Sequence, residues 1–527
     1  MHDVVISGAG PNGLMLACEL SLSGIRPLVL EKLHDRGRRI RAQGLVGTVV
    51  QVLDYRGLFS RMSDAPAPEP TPFFNFAGLP LDLRALEDNP LHVLTVPQPE
   101  LERTLEERAL ELGVDIRRGH ELLDLSQDED SVTVEVRGPD GDYTLTAGYL
   151  VGCDGARSTV RKRAGIGFPD TGNQDLISRA ADVSLPESYV GGIAAMDSLL
   201  QESAWLEMPE RGRVPFGFTR TDTGYFAIGT FLPGRYVVGT VEWGRSAIDR
   251  DAPMTVEEMR ESTARVLGED LPMEPLPGDP EDYRLHRLIG DTRQADRYQL
   301  GRVLLAGDAA HVHHAANAPG LNLGLQDTVN LGWKLAARIH GWAPKDLLDT
   351  YHSERQPVGA RVLMQTQAQT ALIFPGPDVT ALRSVFTEML KDKENLRYIA
   401  RLMSGADIRY DMGTTAEGDP EHPAVGRWAP DFTVTTPHGE QRLSRIMHTA
   451  RPVLIDLTDG SGVTDTVSGW KDRVDTVQGA PAENAPARAL LVRPDGFVAW
   501  ATDATAPGED DLRGLRDALA RWFGVGR

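Results

Sequence analysis

A chain of 527 residues is longer than one hydrophobic core accommodates, so two or three domains are expected. Its 41% apolar and 25% charged residues are the composition of a soluble globular protein, and a formal net charge of −21 argues against nucleic acid phosphates and anionic lipid as partners. Two cysteines, Cys18 and Cys153, speak against a disulfide scaffold or a cysteine-built zinc site, and with no basic leader and no apolar run of about 18–20 residues a cytoplasmic protein is expected.

The first element is "DVVISGAGPNGLMLACELSLSGIRPLVLEK". Val4, Val5 and Ile6 read as a buried parallel strand. Gly8, Gly10 and Gly13 follow in G-x-G-x-x-G spacing: the first for a tight turn, the second for close approach to a pyrophosphate, the third for helix–strand packing. A helix over about 11–23 points its N-terminal amides at that pyrophosphate, and Gly24 ends it. The next strand ends on Glu31, where a carboxylate accepts hydrogen bonds from ribose hydroxyls. Gly8, Gly10, Asn12, Gly13, Glu31 and Lys32 are the candidate cofactor contacts of this unit. The fingerprint alone leaves NAD(P) and FAD both open.

"DAPAPEPTP" (64–72) is a proline-rich connector into "FFNFAGLPLDL", which is expected to supply edge strands. "VPQPELERTLEERALELGVDIRRG" reads as a helix, opened by Gln98, and a strand. "YLVGCDGARSTVRK" (149–162) is a strand running into a glycine-flanked turn at Asp154. "GYFAIGTFLPGRYVVGTVEW" predicts a β-hairpin turning at Pro233 and Gly234, with Val237, Val241 and Trp243 on one face of the return strand. Its aromatics are expected, one by one, to fill the core of their own domain rather than to touch a ligand. "GRVLLAGDAAHVHHAANAPG" (301–320) repeats the strand-then-turn pattern with Gly307 and Asp308. Its His311, His313 and His314 raise a metal reading, but adjacent His313 and His314 cannot share a face and no neighbouring ligand completes a set, so no metal is expected. "GTTAEGDPEHPAVG" (413–426) is a linker, and the strands beyond it are closed by the amphipathic helix "DLRGLRDALARWFG".

Taken together, the three glycine motifs, in their order and at their separations, resemble those of class A flavoprotein aromatic hydroxylases of the para-hydroxybenzoate hydroxylase type. "GLNLGLQDTVNLGWKLA" (320–336) reproduces a helix of that family nearly throughout. The resemblance implies that the first motif holds the ADP half of FAD. It places Asp154 near both FAD and a transient NADPH or NADH site, and Asp308 on the ribityl or pyrophosphate part. Arg41, in "RRIRAQGL", Gln98 and Leu122 are further implied cofactor contacts, with Arg41 as a helper in catalysis. No catalytic residue is otherwise assigned, because the flavin carries the chemistry. Pro319, Gly320, Leu321 and Asn322 open the 320–340 helix, whose free amides are expected at the flavin N1–C2 edge.

The implied fold is α/β: a Rossmann-like FAD-binding domain (1–72, 98–180 and 284–395) and a β-sheet-rich substrate domain (73–97 and 181–283). A helix and linker (396–426) lead to a thioredoxin-like C-terminal domain (427–527). That last domain resembles the one in larger bacterial members acting on aromatic polyketides; with no cysteine beyond Cys153 it lacks a C-x-x-C, so packing or subunit contact remains its role. The implied activity is a single-component monooxygenase in which NAD(P)H reduces FAD, O₂ adds at C4a, and a polycyclic aromatic substrate is hydroxylated. Baeyer–Villiger oxygenation, and a reduction or dehydration without oxygen transfer, are the alternatives; a flavin-binding protein without catalysis is the other class. A monomer or a homodimer is compatible with all of these. Two departures stand out. Family members usually carry a proline and then a Gly-Gly-Gln-Gly run just before "LN", where this chain has Ala315, Ala316, Asn317, Ala318, Pro319 and Gly320, and "GLHART" is here "GLVGTV" (44–49), with Thr48 replacing an arginine.

Overall fold

The structure, a computed structural model, describes every residue except Arg39, Arg41, 171–174, 193–203, 245–251, Asp291, 314–318, 414–421 and Ser461. Strand β1 (His2–Ser7) buries Val4, Val5 and Ile6 completely, as a strand covered on both faces must. It runs into α1 (Pro11–Leu22) and returns as β2 (Pro27–Glu31), parallel to β1. Strand β3 (Gly44–Val46) leaves this sheet and pairs with Val93–Thr95. Helix α2 (Gln98–Glu111) leads to β4 (Asp115–Arg118), which lies parallel to β2. An antiparallel hairpin of Glu121–Gln127 and Val132–Gly138 then delivers β5 (Gly141–Gly152), parallel to β1 on its other side.

The chain next builds an antiparallel sheet from β6 (Leu176–Ser184), β7 (Tyr225–Leu232) and β8 (Arg235–Trp243). The β7–β8 pair is the hairpin read from the sequence, turning at Pro233 and Gly234. Helix α3 (Val256–Leu267) covers one face, its first turn capped by the Thr255 hydroxyl, which accepts the Glu258 amide. On that face Phe226, Ile228 and Val238 are buried, and Phe226 fills the domain core as expected of a single aromatic. Glu242 is buried there too. Arg179 and Arg265 donate to it at 2.8 Å, and the Ser262 hydroxyl at 2.6 Å. A carboxylate survives such burial only when paired and fully hydrogen-bonded. Val237, Val241 and Trp243 point the other way and are only half-buried.

Strand β9 (Val303–Leu305) then joins β5, so the parallel order is β9, β5, β1, β2, β4. The long helices α4 (Pro319–Ile339) and α5 (Thr350–Ile373) follow, and α6 (Lys393–Ser404) ends on a left-handed Gly405. Among the described residues no helix is long and apolar enough to cross a membrane. The last hundred residues form a βαβ unit, a hairpin and a closing helix. Here β10 (Val453–Asp456) is parallel to β11 (Asp475–Gln478) and antiparallel to β12 (Ala489–Val492), which pairs with β13 (Val498–Thr502). The closing α7 (Glu509–Phe523) buries Leu515, Ala518, Leu519, Trp522 and Phe523 along one stripe.

This C-terminal layer shares its core with Leu323, Trp333 and Ala337 of α4 and Val358 of α5. Charges are buried in the same seam. Lys334 donates to Glu354 at 2.7 Å, and Arg493 grips the same carboxylate with two bonds of 2.7 and 2.8 Å. Asn330 reaches both Glu354 (2.7 Å) and Asp495 (3.0 Å). Burial pulls the Lys334 ammonium down to about 8 despite Glu354.

Candidate flavin site

The site begins where the first strand stops. Gly8 has φ +104°, and a Cβ on it would stand 2.5 Å from the Cys153 carbonyl oxygen. One on Gly13 would stand 1.9 Å from the Gly8 carbonyl, so the turn, α1 and the end of β5 close on one another through hydrogen atoms alone. Gly10 differs: a Cβ there meets nothing within 4 Å. Backbone at the α1 N-terminus therefore borders open space. No side chain caps α1 and its first turn carries no acid, so its free amides present positive potential to that space. The Glu31 carboxylate is fixed beside the turn, accepting the Ala9 amide at 2.8 Å and the Leu33 amide at 2.9 Å.

The second and third motifs converge on the same opening. Asp154 accepts the Thr159 and Val160 amides on one oxygen, at 2.7 and 3.1 Å, while its buried Oδ1 has no protein partner. Arg161 donates to the Ala309 carbonyl at 2.9 Å and so ties the second motif to the third. Gly307, at φ +62°, leaves room for Asn12, whose Nδ2 would lie 1.8 Å from a Cβ at that position. The buried Oδ1 of Asn12 is also without a protein partner. Gly307 and Ala309 are buried and Asp308 between them is exposed, so the turn sets this carboxylate outward.

Behind the turn lies a pair that motif spacing did not reveal. Asp327, on α4, takes the Gly307 amide at 3.3 Å, His311 Nε2 at 2.6 Å and Arg355 Nε at 2.8 Å. All three side chains are buried. Burial alone would raise the Asp327 carboxyl; Arg355 and His311 outweigh it and hold it below its ordinary value. The sequence signal that could have found it is the "QD" of the 320–336 helix. His311 is therefore engaged by a carboxylate, and among the described residues no three His, Cys, Asp or Glu side chains form a metal-binding group.

Helix α4 opens beside these elements, again without an acid in its first turn. The Asn322 side-chain oxygen accepts the Val46 amide at 3.0 Å, which fastens β3 to the helix start. A Cβ on Gly320 would lie 2.9 Å from His313 Nε2, so the imidazole rests against the first turn. Thr48, in place of the family arginine, is buried with its hydroxyl on the Ser404 carbonyl at 2.9 Å. Gln98 donates to Glu102 at 2.8 Å, and its amide bonds the Ala42 carbonyl at 3.0 Å. Lys32 is exposed beside Glu31. Leu122 has its side chain buried in the core of the parallel sheet. Arg41, His314 and the altered 315–318 stretch lie outside the described residues.

Opposite α3, the antiparallel sheet carries a patch of small residues set among larger ones. Ala180, Gly239 and Ala227 lie side by side in register, flanked by Ser178 and Gly229. A Cβ on Gly229 would meet nothing within 4 Å, and one on Gly239 only ordinary contacts from 3.5 Å. Val241 and Trp243, on this face, belong to the same apolar cluster as Val46 of β3. The shallow face thus looks toward the strand that is bonded to the start of α4.

An anion-attracting helix start, a fixed carboxylate at the next strand end, two unpartnered buried oxygens and an outward carboxylate form a donor and acceptor set fitted to an extended dinucleotide. Comparisons with known proteins agree. The family model "FAD binding domain" matches residues 1–366, and "Aromatic-ring hydroxylase, C-terminal" matches residues 422–525. The chain is 43% identical to an anhydrotetracycline monooxygenase of Streptomyces rimosus, covering 99% of each. It is 39% identical to a rifampicin monooxygenase of Streptomyces venezuelae, covering 100% of this chain and 99% of that one. The solved structure of an aromatic hydroxylase from angucycline biosynthesis superposes with a TM-score of 0.85 at 38% identity, over 100% of both chains. With the cradle and these full-length matches in hand, the chain belongs to the FAD-binding aromatic-ring hydroxylase family and is an FAD-dependent monooxygenase using NAD(P)H and O₂.

Proposed function

We propose that this enzyme hydroxylates a flat, polycyclic aromatic substrate of the polyketide type. The small-residue sheet face carries the reading. A surface of Ser178, Ala180, Ala227, Gly229 and Gly239 has the depth to accept fused rings, and Val241, Trp243 and Val46 border it with apolar side chains. The relatives' names point the same way, toward anhydrotetracycline and an angucycline pathway.

In this reading Gly8, Gly10, Asn12 and Gly13 hold the pyrophosphate at the α1 N-terminus. Glu31 takes the ribose hydroxyls with Lys32 alongside, and Asp308 and Asp154 serve the ribityl side. Gln98 and Arg41 border the flavin, Leu122 contributes backbone alone, and residues Pro319 to Asn322 offer their helix start to its N1–C2 edge. When bound, FAD supplies the reductive activation of O₂; the protein binds, orients and keeps the site dry. The division into an FAD domain, a substrate domain over 73–97 and 181–283 and a thioredoxin-like C-terminal domain is part of the same proposal. So is packing as the last domain's role.

The test is turnover with ¹⁸O₂ and NADPH on a panel of polycyclic phenols, of which the anhydrotetracycline skeleton is one. Substrate-dependent NADPH use with one labelled oxygen as an aryl hydroxyl is expected. A labelled lactone would move the reading to Baeyer–Villiger chemistry, and substrate conversion without label would overturn oxygenation of these compounds.

A further inference from the structure

We propose that Asp327 and His311 are positioning residues for the flavin: a buried pair that fixes the distance between Asp308 and the start of α4. The inference rests on the FAD reading of the site. Two separate pieces of backbone must present groups to one rigid cofactor, the Gly307–Asp308 turn and the first turn of α4. One carboxylate holds both. Asp327 belongs to α4, yet it accepts the Gly307 amide (3.3 Å) and the His311 ring (2.6 Å) from either side of Asp308. Its second oxygen takes Arg355 Nε at 2.8 Å, and the same guanidinium donates to the Leu323 carbonyl at 3.1 Å, one residue beyond Asn322. The remaining guanidinium nitrogen donates to Tyr410 at 2.9 Å.

His311 joins this group through one ring nitrogen. Its Nε2 meets the carboxylate and therefore carries the proton, while its buried Nδ1 has no partner. Packed against the Tyr298 ring, with centroids 6.0 Å apart, the imidazole makes its side-chain hydrogen bond to Asp327. That bond is between the flavin turn and the flavin helix. Such a clamp sets cofactor geometry rather than chemistry, since neither side chain is exposed to touch the flavin or substrate.

The experiment compares His311→Leu with His311→Gln, whose amide N–H can reach Asp327. Apo-protein is titrated with FAD, and the visible circular dichroism and midpoint potential of the bound flavin are recorded. His311→Leu is expected to weaken FAD about tenfold or more, the loss of one charge-assisted bond, and to alter the dichroism and potential. His311→Gln should restore affinity and both spectral readouts. Two results would overturn the proposal: wild-type affinity and dichroism in His311→Leu with only a lower Tm, or a Gln variant as defective as the Leu variant. None of these readouts needs turnover, so failure of the monooxygenase reading, seen as absent oxygen transfer, is distinguishable from failure of the clamp.

Discussion

The two ends of α4 are built on opposite physical plans. At its N-terminus, the cradle is made of backbone: glycines that let chain segments touch, free amides, and buried oxygens without protein partners. Towards its C-terminus, the seam with the C-terminal layer is made of side-chain charge: Lys334, Glu354, Arg493 and Asp495, all buried. The cradle leaves the Asn12 and Asp154 Oδ1 atoms without protein partners, ready for a ligand. The seam leaves little charge unspent. Substitutions at one end should therefore report on cofactor, and at the other on folding.

The largest effect is expected at Glu354. Alanine there leaves Lys334 and one face of Arg493 buried without their carboxylate, which costs about 3–5 kcal/mol. Urea unfolding should show this loss while the folded fraction still binds FAD with nearly its original affinity. Equal losses in FAD affinity and stability would merge the two ends into one unit. The same carboxylate predicts the acid behaviour. Burial alone would raise it, but Arg493 and Lys334 hold it well below its ordinary 4.5. Its folded value is depressed, so its stabilisation is present above pH 4.5 and drains as the pH falls further. A Glu354→Gln protein should lose less stability than wild type between pH 5 and pH 3 on an acid titration followed by tryptophan fluorescence, about one carboxylate's share; parallel curves would remove Glu354 from the acid transition.

Gly10→Ala should act on the other end. The added methyl meets no protein atom within 4 Å, and the backbone there needs no left-handed conformation, so the apo-protein should keep its Tm. FAD should bind about tenfold more weakly or worse, since the methyl occupies the side from which a pyrophosphate approaches. A lower apo Tm with unchanged FAD affinity would mean that Gly10 is a packing glycine like Gly13.

How much of this could be read beforehand follows the same division. The cradle was legible because its requirements fall on close sequence neighbours: Gly8, Gly10 and Gly13, then Glu31 at the end of the returning strand. Helix α4 was legible through its near-complete match to a family helix. The seam was not, because Lys334 and Glu354 on successive helices meet an Arg493 well over a hundred residues further on, and each looks alone like a surface charge. Asp327 was hidden differently. It lies inside the 320–336 motif, but a motif gives residue identity and not the direction a side chain faces. Leu122 shows the converse: the resemblance names the residue, and only the fold shows that its side chain lies in the core.

The smallest expected effect is the most informative about electrostatics. Asn322 accepts the Val46 amide through its side-chain oxygen, and an aspartate can accept the same bond, so Asn322→Asp adds a charge while keeping that contact. A negative charge in the first turn of α4 cancels part of the positive potential of the helix start, by about 1 kcal/mol. If that potential stabilises reduced, anionic flavin, the two-electron midpoint potential falls by roughly 20 mV and reduction by NADPH slows. Asn322→Ala separates the two roles, since it removes the Val46 bond without adding charge. A potential that drops in the aspartate variant and not in the alanine variant assigns the effect to the helix field. A drop of equal size in both assigns it to the position of β3. An unchanged potential in the aspartate variant would place the α4 N-terminus away from the flavin N1–C2 edge, and the cradle would then have to hold the ring by its other wall.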